Sequence, residues 1–375
     1  MEYLVLTFEY IETDEQLSEL VAQYQQSPLL VIDTEFVRTR TYYANLGLIQ
    51  AYDGKTLALI DPVAVSDLSC FWQLLTDESI VKLVHSCSED LEVFAHYGKC
   101  QPKPLFDSQI AASMGNMGYG LGYAKLVQQC LDVEIDKGES RTDWMKRPLT
   151  DAQLQYAAND VFYLYKLYPQ LKQKLEQMGR SEWLFEEGER ITQGRLDAPD
   201  PETAYFKVKN AFQLTPKQLA CLKVLAAWRQ QKALSRNLAL GFVIKDHALI
   251  ALAKKQPQSV TALNKLVDLT DHEKRFHGKE LVKLITTVDF SDLPEQIDVI
   301  ALRPGYKSTF KQIKNTLVEL CEHKQVATEF IASKRLIHGF MLWLFNNKQG
   351  ETPLLLSGWR GEVVGSAIDD VSFSG

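Results

Sequence analysis

Four acidic side chains and one tyrosine are the residues of this chain best suited to chemistry. Asp33 and Glu35 lie in LLVIDTEF, Asp90 in LVHSCSEDLEVF, and Tyr156 and Asp160 in LQYAANDVFYLY. Each carboxylate adjoins an apolar run, where a charge is costly unless something pairs with it. Mg²⁺ or Mn²⁺ held by oxygen ligands would remove that cost and supply a reaction. Asp33 and Glu35, two apart in a strand, share a face. Tyr156 and Asp160, four apart on a helix, share another, and Asp90 opens a helix just after a strand. Four convergent carboxylates are more than one Mg²⁺ takes from protein. They suit two ions ~4 Å apart, which stabilise the attacking and leaving oxygens of an in-line phosphoryl displacement. Taken singly, each residue has a plainer reading: a turn or cap for Asp33, a first-turn helix acid for Asp90, core packing for Tyr156, a solvated acid for Asp160. The three clusters in this order, with these flanks, are far more specific than any one of them.

The elements that must position these residues alternate between strand and helix. YLVLTFEYI, SPLLVIDTEF and SIVKLVHS read as strands, and LGLIQAYDGKTLALIDP as two strands joined by a turn at Asp53-Gly54. SEDLEVFAHYG reads as a helix with Ser86 and Glu89 as its capping box. The stretch from Asp107 to Asp132 is mostly helical but broken by GNMGYGLGY, and TDAQLQYAANDVFYLYKLYPQLKQKLEQMG is a long helix stopped at Gly179. Hairpin strands followed by helices that return to a sheet imply a mixed-sheet α/β domain. At such a sheet edge, strand ends and helix starts converge on ligands.

The chain has 375 residues, enough for two or three domains. No apolar run approaches the ~18 residues of a membrane span, and the acidic start MEYLVLTFEYIETDE does not read as a secretory signal. Six scattered cysteines without a CxxC pair read as reduced thiols of a cytoplasmic protein, neither a zinc site nor a disulfide frame. The net charge of −7 conceals an asymmetry: residues 1–204 carry −15, 205–290 carry +9 and 291–375 carry −1. A basic module in an acidic chain suits a polyanion partner, and equally a solvated lysine-rich surface.

GRLDAPDPETAY, with its glycine, prolines and acids, reads as a linker. The expected division is residues 1–195, a linker over 196–208, and helical modules over 209–290 and 291–375. In the first module, LTPKQLACLKVLAAWRQQKA has Thr215 as N-cap and Pro216 at the first helical position. LALGFVIKDHALIALAKKQP and SVTALNKLVDL add shorter helices. Ala239, Phe242, Val243 and Leu249 are echoed 88 residues later by Ala327, Phe330, Ile331 and Ile337, the mark of two related helical bundles in tandem.

DTEF, HSCSEDLEVF and YAANDVFYLY resemble the three exonuclease motifs of the DEDD superfamily in its tyrosine-bearing branch. TDWMKRPLT, the basic helical module and the C-terminal LSGWRGE extend the resemblance, over nearly the whole chain, to the bacterial ribonuclease D family. The resemblance implies an α/β RNase H-like exonuclease domain followed by two all-α HRDC-type domains. It implies that Asp33, Glu35, Asp90 and Asp160 hold two divalent ions, Mg²⁺ or Mn²⁺, and that Tyr156 orients the attacking water. A phenol with a free pKa near ~10 is a poor base, which favours positioning over proton abstraction. The implied activity is 3′→5′ removal of 5′-mononucleotides from tRNA precursors and other small stable RNAs. A monomer would suffice for it, and the apolar runs predict no membrane association. Among possible substrate contacts, Phe36 could stack on a terminal base, and Arg141, Lys146 and Arg147 could reach phosphates. His85 could line the site or sit satisfied in the core. Asp107 could assist the site, although a helix cap is the favoured reading. Two other functions share these features: a DNA 3′→5′ exonuclease, which has the same motifs, and a non-catalytic nucleic-acid-binding module.

Overall fold

The computed structural model describes residues 5–135 and 138–371. Tyr3 and Leu4 of the first expected strand lie outside them. The chain forms two compact units, one of residues up to Val37, Asn45–Leu196 and the segment from Ile300 onward, the other of Arg38–Ala44 and Asp197–Val299.

The first unit is built on a six-stranded sheet: β1 (Glu9–Ile11), β2 (Leu29–Val37), β3 (Asn45–Tyr52), β4 (Leu57–Ile60), β5 (Val81–Val84) and β6 (Leu105–Asp107), in the order β1-β4-β3-β2-β5-β6. β2, β3 and β4 pair antiparallel, while β1 joins β4, and β5 joins β2 and β6, in parallel. This is the mixed sheet expected from the hairpin signals. Asp53 accepts from Lys55 N and Thr56 N in the β3–β4 turn, and Gly54 there has φ +94°, a conformation that favours glycine.

Among the described residues, the α-helices that accompany this sheet ahead of the C-terminal bundle are α1 (Asp14–Tyr24), α2 (Ser69–Leu75), α3 (Ser88–Val93), α4 (Ser108–Met114), α5 (Tyr123–Leu131), α6 (Asp151–Gln177) and α7 (Ser181–Thr192). The long α6 starts with a complete Thr150/Gln153 capping box. It lays Ala157, Ala158, Val161 and Leu164 into the core that contains Val31, Leu48, Leu59 and Leu83 of the sheet. The small alanines let the helix approach the strands closely, which brings its polar positions near the sheet edge as well.

The second unit contains α8 (Pro216–Ser235), α9 (Leu240–Val243), α10 (Asp246–Lys255), α11 (Val260–Asn264) and α12 (Asp271–Thr286). Its core includes Leu219, Leu222, Leu225, Leu249 and Leu281. The segment that follows β2 belongs here: Ala239 N donates to Arg40 O at 2.8 Å and Tyr43 N to Asn237 Oδ1 at 2.9 Å.

The first unit is completed by α13 (Tyr306–Lys324), α14 (Thr328–Ile331), α15 (Lys334–Phe345) and α16 (Gly358–Val364). The 88-residue echo is visible as the pair α9 and α14. Each is four residues long and follows an extended alanine, Ala239 or Ala327, and Leu249 and Ile337 are both fully buried beyond them. The C-terminal bundle shares one apolar core with the sheet and α6. Trp183 of α7 stacks on Trp359 of α16 at 5.1 Å between centroids. Glu186 accepts from Trp359 N, and Gly358 leaves room for that carboxylate, since a Cβ there would stand 1.7 Å from Glu186 Oε1.

Candidate active site

The sheet, α3 and α6 bring the expected carboxylates into one electrostatic neighbourhood. Asp33 and Glu35 come from β2, with a register shift between Glu35 and Phe36; such a bulge redirects a strand at its end. Burial first, then the charges of Asp90 and Asp160, hold the Asp33 carboxyl well above its usual range. Burial, then Asp33, Asp160 and Asp90, push Glu35 up to about 10. Asp160 is raised to about 8 by burial, against a lowering hydrogen bond from Tyr156. Asp90 is raised to about 6, chiefly by burial, with the Thr34 hydroxyl pulling the other way. The four thus resist ionising together. Among the described residues no three His, Cys, Asp or Glu form a group that could hold one ion; the carboxylates share an electrostatic field. Their chemistry fits hard cations. All donors are oxygen, and two divalent ions carry as much positive charge as four carboxylates carry negative.

Tyr156 lies one turn before Asp160 and hydrogen-bonds to it. Burial, and then Asp160, Glu35 and Asp33, push its phenol above the usual range, so it presents a hydrogen to its surroundings. Its ring packs 6.1 Å from that of buried Trp144.

Several expectations change. Ser86 is not an N-cap: it has φ +55°, and α3 begins after Cys87 with no side-chain cap. The acceptor comes from elsewhere in the fold. Asp107, at the end of β6, accepts from Ser86 N and Cys87 N, both at 3.1 Å, and also from Gln109 N and Ile110 N at the start of α4. It is therefore a cap, as favoured, and also a clamp on the turn that leads to Asp90. Arg147 is not available to phosphate. Its guanidinium has five N–H donors, and they go to both oxygens of Asp61, to Gly47 O, to Trp144 O and to Lys146 O. A Cβ on Gly47 would stand 2.6 Å from Trp144 O, so glycine is what permits this close approach. His85 is largely a core residue. Nδ1 pairs with Ser108 Oγ at 2.8 Å, and burial lowers its pKa against the raising effects of Asp107 and the Leu121 backbone. Phe36 is half-buried, and Arg141 and Lys146 are exposed.

Two residues near the site carried no signal in the sequence reading. Thr34, which strand alternation assigns to the opposite face, donates its hydroxyl to Asp90 and so joins the first two motifs. Tyr123 donates to the Asn159 and Asp160 carbonyls at 2.9 and 2.6 Å and fixes the α6 backbone behind Asp160. Its isolated place in a Gly-rich segment gave no hint of this.

The 3′–5′ exonuclease family matches residues 8–176, the HRDC domain matches 218–285, and the C-terminal HRDC domain of ribonuclease D matches 304–368. Fold and site together define a 3′→5′ exonuclease joined to helical HRDC modules. The ribonuclease D of Shewanella sp. (strain ANA-3) is 66% identical over 361 residues, spanning 96% of this chain and 93% of its own length. That of Escherichia coli (strain K12) is 40% identical over 370 residues, 98% of each chain. The crystal structure of Escherichia coli RNase D, described as an exoribonuclease involved in structured RNA processing, matches with a TM-score of 0.93 and 98% coverage of both chains. The chain belongs to the ribonuclease D family and is a 3′→5′ exoribonuclease. Its exonuclease fold family is metal-dependent, and among the described residues no helix is long and apolar enough to cross a membrane.

Proposed function

We propose that this enzyme trims the 3′ ends of tRNA precursors and other small stable RNAs by hydrolysis at two divalent ions, Mg²⁺ or Mn²⁺, held by Asp33, Glu35, Asp90 and Asp160. The observation that carries this reading is the crowding of these four carboxylates, Asp160 buried and the others half-buried, each raised by desolvation and Asp33 and Glu35 raised further by the others. Only a comparable positive charge lets them ionise together. When bound, the ions would supply Lewis-acid stabilisation of the attacking and leaving oxygens and ease deprotonation of a water.

The chain's own residues do the rest. Tyr156, protonated and hydrogen-bonded to Asp160, orients the water that attacks the last phosphodiester rather than removing its proton. The water oxygen bonds to phosphorus, the 3′ oxygen of the penultimate nucleotide leaves, and a 5′-mononucleotide is released. Phe36, half-buried beyond the bulge, is assigned to the terminal base. Arg141 and Lys146, both exposed, are assigned to phosphates. The +9 charge of residues 205–290 suits the phosphates of the RNA body.

The preference for structured RNA rests on the description of the Escherichia coli relative, 40% identical along nearly its whole length. A monomer suffices, since one chain supplies every proposed ligand, and the six free thiols fit the cytoplasm. The test is Asp160→Ala, which should abolish cleavage of an RNA with a 3′ extension while leaving RNA affinity nearly unchanged. Equal loss of both would remove the metal role.

A further inference from the structure

Gln50 is fully buried, at 0% exposure, in the middle of β3. Among the described residues neither its Nε2 nor its Oε1 has a hydrogen-bond partner. A buried carboxamide with both ends unsatisfied is rare and costly, and such groups often mark an ordered water or a functional contact. Its register is specific. Gln50 is the direct cross-strand partner of Asp33 in the antiparallel β2–β3 pair, and of Leu59 on its other side. Directly opposed residues share a face, with Cβ atoms ~5 Å apart. That face is the one covered by α6, since Leu48 and Leu59 belong to the same core as Ala157, Ala158 and Val161. An ordinary core position between Leu48 and Leu59 would carry another aliphatic side chain.

We infer that Gln50 is a positioning residue for Asp33: its carboxamide, through one bridging water, orients the Asp33 carboxylate toward the divalent ion. A single water spans two polar groups that lie beyond direct hydrogen-bond distance, and it satisfies an otherwise orphaned amide. Partners of this kind fix the direction of a ligating carboxylate, and their loss typically weakens metal binding about 10–100-fold. The inference rests on the reading of Asp33 as a metal ligand.

The experiment compares the wild type, Gln50→Leu, Gln50→Met and Asp33→Asn for thermal stability without metal, Mn²⁺ binding by calorimetry, and RNA turnover against Mn²⁺ concentration. Gln50→Leu or the near-isosteric Gln50→Met should fold with unchanged or higher thermal stability, because an apolar side chain replaces a buried amide that no protein group pairs with. Each should bind Mn²⁺ at least ~10-fold more weakly, with turnover recovering as Mn²⁺ is raised. Unchanged Mn²⁺ affinity in the Gln50 variants, beside a large loss in Asp33→Asn, would overturn the role of Gln50 alone. Unchanged affinity in Asp33→Asn would instead overturn the ligand reading beneath it. Should both Gln50 variants fail to fold, a high-resolution crystal structure of the Mn²⁺-loaded wild type decides. A water within hydrogen-bond distance of both Gln50 Nε2 and the Asp33 carboxylate is expected, and a dry contact contradicts it.

Discussion

Glu187 of α7 and Arg360 of α16 form a two-pronged buried ion pair, at 2.6 and 3.0 Å, across 173 residues of chain. Both are nearly inaccessible, at 3% and 4% exposure, and Arg190 adds a further 2.6 Å contact to the same carboxylate. Removing one partner leaves an uncompensated buried charge. Arg360→Met should destabilise the first unit by roughly 3 kcal/mol, the low end of the range for breaking a buried pair because Arg190 remains. Urea unfolding checks this. A change below about 0.5 kcal/mol would show that the pair is not stabilising relative to a buried methionine.

The same pair sets a pH dependence. Burial raises the Glu187 pKa, but hydrogen bonds from Arg360 and Arg190 outweigh it and hold the carboxyl below its ordinary 4.5. The folded value lies below the unfolded one, so the contribution is fully present above about pH 4.5 and is lost as pH falls through the folded value. Melting temperatures of the wild type and Glu187→Gln should therefore converge as pH is lowered below that point. A constant gap down to strongly acid pH would contradict the linkage.

Arg147 belongs to the scaffold in this account. Arg147→Lys keeps the charge but cannot reproduce five directed donors. It should lower stability by about 1–3 kcal/mol, the cost of leaving buried acceptors unmet, and leave RNA affinity unchanged when measured in an Asp160→Asn background. Weakened RNA binding with intact stability would return Arg147 to the substrate.

Asp107 holds four backbone N–H groups, three on Oδ1 and one on Oδ2. In Asp107→Asn the carbonyl oxygen can keep the first three, but an NH₂ group then faces Cys87 N. A loss of about 1–2 kcal/mol is expected, together with weaker activity at limiting metal because the turn before Asp90 shifts. Wild-type metal dependence in a destabilised variant would confine Asp107 to capping.

The sequence made the grouping of the candidate site residues legible because their spacing is local. Two residues apart in a strand and four apart on a helix are geometric statements that need no tertiary knowledge, and they group Asp33 with Glu35 and Tyr156 with Asp160. The α9 and α14 echo was legible for the same reason. What stayed hidden depends on partners distant in the chain. Ser86 and Glu89 have the spacing of a capping box, but Asp107, about twenty residues away, takes the backbone donors instead. Arg147 looked like an exposed loop cation until Asp61, on the far side of the β3–β4 hairpin, accounted for it. Gln50 looked like any polar residue in a strand, since burial and orphaned atoms appear only once α6 covers the sheet. The shared core of the C-terminal bundle depends on contacts such as Glu187–Arg360, which no local pattern encodes.

The most direct test of the metal-dependent exonuclease is a time course on a tRNA carrying a short 3′ extension, with Mg²⁺, with Mn²⁺ and with EDTA, using the wild type and Asp160→Asn. Stepwise shortening from the 3′ end with release of 5′-mononucleotides, only with metal and only in the wild type, is the result predicted here. Shortening that persists in EDTA or in Asp160→Asn, or cleavage that begins within the chain, would contradict it.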